Sequence, residues 1–238
     1  MKPADISVVI PVLNERENLE PLFKSLSEVT NGLGLTAQII VADGGSNDGS
    51  REFAKQAGAD VVEQKERGYG GALLAGFAAA TAPYIVTMDA DLSHRPVFLR
   101  EFWKERQSAD ILVASRYVTG GRADMGPFRR VLSLILNKTY SRVLSLPLRD
   151  VSSGFRMYRS SSVKNLELNA RDFDVLEEIL VRIYVNGGRV KEVPFHYGAR
   201  QSGKSHAKLL RFGWAYSSTL LKMWRLRRQD KSIQYRSR

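Results

Sequence analysis

Apolar residues in this chain fall in short unbroken runs that alternate with longer stretches of helical period. Residues 6–10 (ISVVI) predict a buried strand, because a strand covered on both faces reads as a continuous hydrophobic run. Pro11 is expected to end it. Leu19, Leu22, Phe23, Leu26 and Val29 then recur at helical spacing, with Asn14 expected as the N-cap and Glu17 three residues on as its capping-box partner. A second strand over 38–42 runs into DGGSNDGS, where Gly44, Gly45 and Gly49 permit tight turns. A short helix, a strand near Val61 and Val62, the glycine-rich turn ERGYGG and the small-residue helix ALLAGFAAA follow. Residues 84–88 form the next apolar strand, 97–107 a helix and 111–114 another strand. This alternation predicts an α/β fold, doubly wound, with a mainly parallel sheet and helices on both faces.

The second half is less regular. Residues 127–146 predict one amphipathic helix that opens on the basic pair Arg129 and Arg130, and DVSSGFRMYR predicts a turn and a short strand. Val175, Leu176, Ile179, Leu180 and Ile183 mark the core face of a helix over 174–186; Gly187 and Gly188 stop it before a strand over 189–195. Residues 209–228 mix apolar and aromatic side chains with basic ones. Two readings stay open for them, a C-terminal amphipathic helix lying in a membrane interface and a terminal helix packed on the domain. The expected division is a catalytic unit over 1–208 and a basic helix and tail over 209–238, facing a membrane or a partner.

The polar motifs all follow strands: Asn14, Asp43, the turn at Gly68, Asp89 with Asp91, and Arg116. In open α/β sheets that carboxyl edge is where ligands bind. Asp89 and Asp91 stand one residue apart, so both carboxylates can face one small volume. Hard oxygen ligands at a strand end suit Mg²⁺ or Mn²⁺, which take one or two carboxylates plus substrate phosphate oxygens. An Asp pair that only begins a turn is the plainer alternative.

Composition narrows the choice. The 238 residues suffice for a sizeable core, and the absence of cysteine removes disulfides and thiolate metal sites. The chain's first residues lack a signal peptide's apolar core, and the one long uncharged run, 68–88, divides at its glycines and Pro83 into helix, turn and strand. Of the net charge of +11, +10 lies in 200–238, where 11 Lys and Arg face the single acid Asp230. Such a tail points to a phosphate-rich partner, either an anionic membrane surface or nucleic acid. Residues 198–205 satisfy the P-loop pattern G-x-x-x-x-G-K-[ST], but too little chain follows for the further strands and acidic residue that a P-loop needs. They suit a basic loop that closes on phosphates.

Taken in order, PVLNEREN (11–18), VADGGSNDGS (41–50), ERGYGGALLAGF (66–77), MDADLSH (88–94), SRYVTGG (115–121), FRRVLS (128–133), VSSGFRMYR (151–159) and RQSGKS (200–205) resemble family 2 glycosyltransferases of the GT-A fold. The similarity is greatest to polyprenyl- or dolichyl-phosphate mannose synthases. The resemblance implies inverting transfer of a hexose, best matched by mannose from GDP-mannose, to a polyprenyl or dolichyl phosphate. It implies nucleotide-sugar contacts at Pro11, Asn14, Glu15, Asp43, Gly70, Asp89, Ala90, Asp91, Arg200 and Lys204, and Mg²⁺ or Mn²⁺ at Asp89 and Asp91. Catalytic roles fall to Asp91, Arg116 and Arg200, and acceptor-phosphate contacts to Arg116, Arg129, Arg130 and Ser133. The implied setting is peripheral on the cytoplasmic face of a membrane, bound to its anionic surface or through a small anchor subunit, with no nucleic acid as partner. Ser93 stands where the similar synthases usually carry glutamine, and Gly44-Gly45 where they carry an acid and asparagine.

The chemistry agrees with an anionic acceptor. A hydroxyl acceptor needs a general base, for which Asp150 and Glu178 are the candidates. A phosphate monoester, with a second pKa of about 6, is already largely a dianion at neutral pH. It needs cationic positioning, which the arginines at 116, 129, 130, 156 and 200 can supply. UDP-glucose or UDP-N-acetylglucosamine donors, and a nucleic-acid-binding α/β module, are the alternatives.

Overall fold

The computed structural model describes residues 2–198 and 218–228. Its seven-stranded sheet has the order β3-β2-β1-β4-β7-β5-β8. The first half is laid down as β1 (Ile6–Val12), α1 (Arg16–Gly32), β2 (Ala37–Asp43), α2 (Ser50–Gln56), β3 (Asp60–Glu63), α3 (Tyr69–Ala79) and β4 (Tyr84–Thr87). A 3₁₀ turn (Pro96–Phe98), α4 (Leu99–Glu105) and β5 (Ile111–Ser115) complete it. The second half adds β6 (Arg122–Ala123), α5 (Pro127–Val143), β7 (Arg156–Arg159), α6 (Ser160–Val163), α7 (Val175–Val185), β8 (Val190–Pro194) and β9 (His196–Tyr197). A last helix, α8, covers 218–228. All neighbours in the main sheet are parallel except β7, which runs antiparallel to both β4 and β5.

Side chains alternate across each strand, so β1 feeds two cores. Ile6, Val8, Ile10 and Val12 pack with α1 residues Leu19, Leu22 and Leu26 and with Phe98 and Phe102. Val9 on the opposite face joins Leu73, Phe77, Ile85, Tyr158, Ile179 and Leu180. Helix α3 can lie close because it is built from small residues: a Cβ at Gly76 would stand 2.2 Å from Val9 Cγ1. Pro11 does not end β1. Pairing with β4 stops at Val9, and the strand continues along β2 to the Val12–Asp43 pair.

Chain winding reverses between β1 and β4, so a crevice opens at their carboxyl ends. The antiparallel β7 adds a second feature. Because it enters the sheet from that same edge, the loop before it, 150–154, lies beside the carboxyl end of β4. Thr87 pairs with Arg156, and Thr87 Oγ1 donates to the Gly154 carbonyl at 2.7 Å.

One face of α8 packs on the domain. Thr219 and Met223 are buried, with Met223 in the core beside α7, and Thr219 Oγ1 donates to Asp174 Oδ2 at 2.9 Å. Lys222, Arg225 and Arg228 are exposed. No helix among the described residues is long and apolar enough to cross a membrane.

Helix α7 carries a buried carboxyl, Glu177, whose Oε2 has no hydrogen-bond partner among the described residues. Burial pushes its pKa up to about 8, against the pull of Arg156. The folded state therefore holds this proton more tightly than the unfolded chain does. That contribution to stability is whole below the unfolded carboxyl's pKa of about 4.3 and is lost as pH rises through about 8. Glu177→Gln, which cannot ionise, is expected to flatten the fall in Tm between pH 5 and pH 9 measured by thermal denaturation; an unchanged slope would refute the buried proton.

Candidate active site

At the end of β2, Asp43 is almost fully buried and accepts hydrogen bonds from Gly45 N–H (3.1 Å) and Ser46 N–H (3.2 Å). Gly45 has φ 97°, a left-handed conformation that lets the chain fold back on that carboxylate. Arg51 Nε lies 3.6 Å from Asp43 Oδ2, and the guanidinium also pairs with Glu63. These residues, with Gln64, Lys65 and Arg67, border a cleft of about 290 Å³.

Asn14 does not cap α1. That helix starts after Glu15 with no side-chain cap, and Asn14 takes φ 57°. Its Oδ1 instead accepts from Asn47 N–H (2.9 Å), while Asn14 N–H donates to Ser46 Oγ (3.0 Å). Glu15 N–H donates to Ser50 Oγ and Arg16 N–H to Asp48 Oδ2. The loops after β1 and β2 are thus laced into one wall. Gly70 serves a neighbouring wall, donating its N–H to the Arg171 carbonyl at 2.9 Å. Ala90 is buried in the core between the two Asp residues.

After β4 the chain bends at Leu92, φ 63°. Asp91, 5% exposed, accepts from Ser93 N–H at 3.1 Å and from Ser93 Oγ. Ser93 is thereby turned inward to steady this carboxylate. Asp89 is more open; its Oδ1 accepts from the Tyr69 hydroxyl at 3.4 Å. Burial, and after it the Asp89 charge, hold the Tyr69 phenol protonated well above its usual range, so it remains a donor. Phe173 stacks on the Tyr69 ring at 4.6 Å. His94 stacks on Phe155 at 4.9 Å, its Nδ1 accepts Asp89 N–H at 2.9 Å, and its Nε2 lies 3.8 Å from Asp89 Oδ2.

No group of three His, Asp or Glu that could by itself hold a metal ion exists among the described residues, so an ion at Asp89 and Asp91 would draw its remaining ligands from substrate oxygens. That set fits Mg²⁺ or Mn²⁺ better than an ion bound in an all-protein cage.

Following β5, Arg116 is clamped from several directions. Its Nε and Nη2 donate to the two oxygens of buried Asp150, each at 2.7 Å, and Nη2 also donates to Ser152 Oγ at 2.9 Å. Burial alone would lower the guanidinium pKa, but the Asp150 carboxylate raises it, so the charge is permanent. Nη1 makes no hydrogen bond among the described residues. Glu192 braces the pair from β8, accepting from Ser115 Oγ (2.6 Å), Arg149 N–H (2.9 Å) and Asp150 N–H (2.8 Å). Ser133 joins the group through Tyr117, whose hydroxyl donates to Ser133 Oγ at 2.8 Å. Arg129 and Arg130 lie exposed on the first turn of α5. Arg200, Lys204 and Ser205 lie outside the described residues.

Three sequence expectations change here. Arg156 is not available to position a phosphate: it is fully buried and donates to the carbonyls of Ser153, Leu176 and Val151 at 2.6–2.7 Å. Asp150, one candidate base, has both oxygens bonded to Arg116. Glu178, the other, is buried and accepts from Asn169 N–H, Ala170 N–H and Arg182 Nε. Sequence reasoning missed Tyr69 and Gly154 as neighbours of Asp89. A glycine with tyrosine inside the motif ERGYGG was the available signal for the first; the second depends on β7 pairing with β4.

Residues 7–167 match the family described as glycosyl transferase family 2. The chain is 37% identical over 213 residues to a dolichol-phosphate mannosyltransferase of Pyrococcus furiosus, an alignment covering 85% of this chain and 59% of that protein. It is 34% identical to a polyprenol monophosphomannose synthase of Mycolicibacterium smegmatis, over 83% of this chain and 79% of the relative. Among solved structures, glucosyl-3-phosphoglycerate synthase from Mycobacterium tuberculosis, in complex with Mn²⁺, UDP and phosphoglyceric acid, superposes with a TM-score of 0.74 at 22% identity, covering 93% of this chain and 78% of the other. The same enzyme with Mg²⁺ and UDP gives 0.72 at 22% identity, over 92% and 79% of the two chains. The crevice-edge carboxylates and the clamped arginine therefore sit on a GT-A fold, and the chain belongs to glycosyl transferase family 2.

Proposed function

We propose that this glycosyltransferase moves mannose from GDP-mannose to a polyprenyl or dolichyl phosphate, with inversion at the anomeric carbon. The observation that carries the phosphate acceptor is the state of the two candidate bases: Asp150 is held by Arg116, and Glu178 is buried under three donors. An acceptor that arrives as a dianion needs neither. The names of the two relatives, a dolichol-phosphate mannosyltransferase and a polyprenol monophosphomannose synthase, support the same choice of lipid and sugar.

In this reading the cleft beside Asp43 receives the nucleoside, and Asp89 and Asp91 hold Mg²⁺ or Mn²⁺ against the diphosphate. The ion would supply Lewis-acid stabilisation of the departing phosphate oxygen. Tyr69 fixes the Asp89 carboxylate through its hydroxyl, and Ser93 fixes Asp91. Arg116 presents Nη1 to the acceptor phosphate, with Ser133, Arg129 and Arg130 on the adjoining helix. Arg200 and Lys204 would add charge-assisted hydrogen bonds to the phosphates.

The lipid would approach along α5. Phe128 is 78% exposed, and Val131, Leu132 and Ile135 continue the exposed apolar stripe at helical spacing, flanked by Arg129, Arg130 and Lys138. Apolar residues edged by cations suit an anionic membrane surface; a small anchor subunit is a further partner for the same side. The reading places the protein peripherally on a cytoplasmic membrane face.

A donor panel tests it. GDP-mannose, UDP-glucose and UDP-N-acetylglucosamine, each offered with one polyprenyl phosphate and Mg²⁺, should give turnover with GDP-mannose alone; preference for a UDP-sugar would replace the donor assignment. Gly154→Ala probes the Asp89 shell, since the new Cβ would meet the Tyr69 hydroxyl at 2.7 Å and Asp89 Oδ1 at 3.7 Å. Loss of a hydrogen bond to a charged group predicts at least about a tenfold fall in kcat/KM. Activity equal to wild type would remove Tyr69 from the site.

A further inference from the structure

Helix α5 has apolar and basic residues facing outward but carries a fully buried amide, Asn137, on its inner side. Asparagine is a mediocre helix former and costly to bury unless its bonds are met. Here they are. Oδ1 accepts from Val151 N–H at 2.7 Å and Ser152 N–H at 3.1 Å. Nδ2 donates to Ser152 Oγ at 3.1 Å and to the Ser133 carbonyl at 2.8 Å. Ser152 Oγ is also the acceptor for Arg116 Nη2 at 2.9 Å. One hydroxyl thus joins the amide of α5 to the guanidinium that follows β5.

We infer that Asn137 is a positioning residue for Arg116, setting the direction of that guanidinium through Ser152 and tying it to the helix that carries Ser133. The inference rests on the reading of Arg116 as the acceptor-phosphate cation. Asp150 fixes two of the guanidinium nitrogens from one side. The bond to Ser152 comes from another direction and settles rotation about the clamp, which decides where Nη1 points. Asn137 holds Ser152 from both ends, its backbone N–H and its hydroxyl. The donor crevice shares none of these bonds.

This predicts a separation that a general loss of packing would not give. Kinetics of Asn137→Ala, Ser152→Ala and the double variant, with GDP-mannose and a polyprenyl phosphate each varied in turn, should show kcat/KM for the acceptor falling about tenfold in either single variant. KM for the donor should stay within about twofold of wild type, and the double variant should be no worse than the poorer single one, because both changes break the same relay. Ser152→Ala is the smaller perturbation and reports even if Asn137→Ala fails to fold. Equal losses toward donor and acceptor, additive losses, or unchanged acceptor kinetics in Ser152→Ala would each overturn the inference alone. Wild-type protein that transfers no sugar to the lipid phosphate would overturn the functional reading, and this inference with it.

Discussion

Asp91→Asn is expected to lower turnover about a thousandfold while leaving the fold intact. The asparagine oxygen can still accept from Ser93 N–H and Oγ, so the turn after β4 keeps its bonds. The change removes the negative charge that would hold a divalent cation against the leaving diphosphate, and losses of 10²–10³ are typical when one preorganised electrostatic group is removed. Asp91→Ala should be equally inactive but less stable, since it leaves the buried Ser93 N–H without its acceptor at a cost of about 1–3 kcal/mol. Steady-state rates over a Mg²⁺ titration, together with thermal denaturation, separate the two effects. Near-native turnover in Asp91→Asn would rule out the metal site.

The second large effect concerns Arg116. Alanine there strands Asp150, fully buried, with no counter-charge. Breaking a buried ion pair from one side costs about 3–5 kcal/mol. Arg116→Ala should therefore lose both stability and activity. Adding Asp150→Asn removes the stranded charge and should restore most of the stability but none of the turnover, because the cation proposed to meet the acceptor phosphate is still missing. Chemical denaturation and acceptor kinetics on the single and double variants check this. A double variant that recovers turnover would make Arg116 a structural residue only.

Local pattern carried much of this molecule. The apolar runs at 6–10, 38–42, 84–88 and 111–114 all become strands of one mainly parallel sheet. Since polar motifs followed each of them, the edge bearing Asp43, Asp89, Asp91 and Arg116 could be read before the fold was known. What pattern could not carry was strand order. Four residues, Arg156–Arg159, enter antiparallel between β4 and β5, more than forty positions after the nearer of them, and no periodicity encodes that choice. It brings Gly154 beside Asp89, Asp150 onto Arg116 and Ser152 against Asn137. Arg156 misled for the same reason: an arginine in a polar motif reads as a cation for phosphate, yet three backbone carbonyls and full burial make it a core brace. Asn14 reads as a helix cap by spacing alone, but the loop after β2 competes for its side chain and wins.

The account stands on an acceptor that needs no base. Its most direct test compares a polyprenyl phosphate with the same polyprenol lacking the phosphate, at fixed GDP-mannose and Mg²⁺, by release of GDP across pH 6 to 8.5. Release should require the phosphate and follow its second ionisation, near pH 6, then stay level. Comparable release with the free alcohol, rising with pH as a protein base ionises, would contradict it.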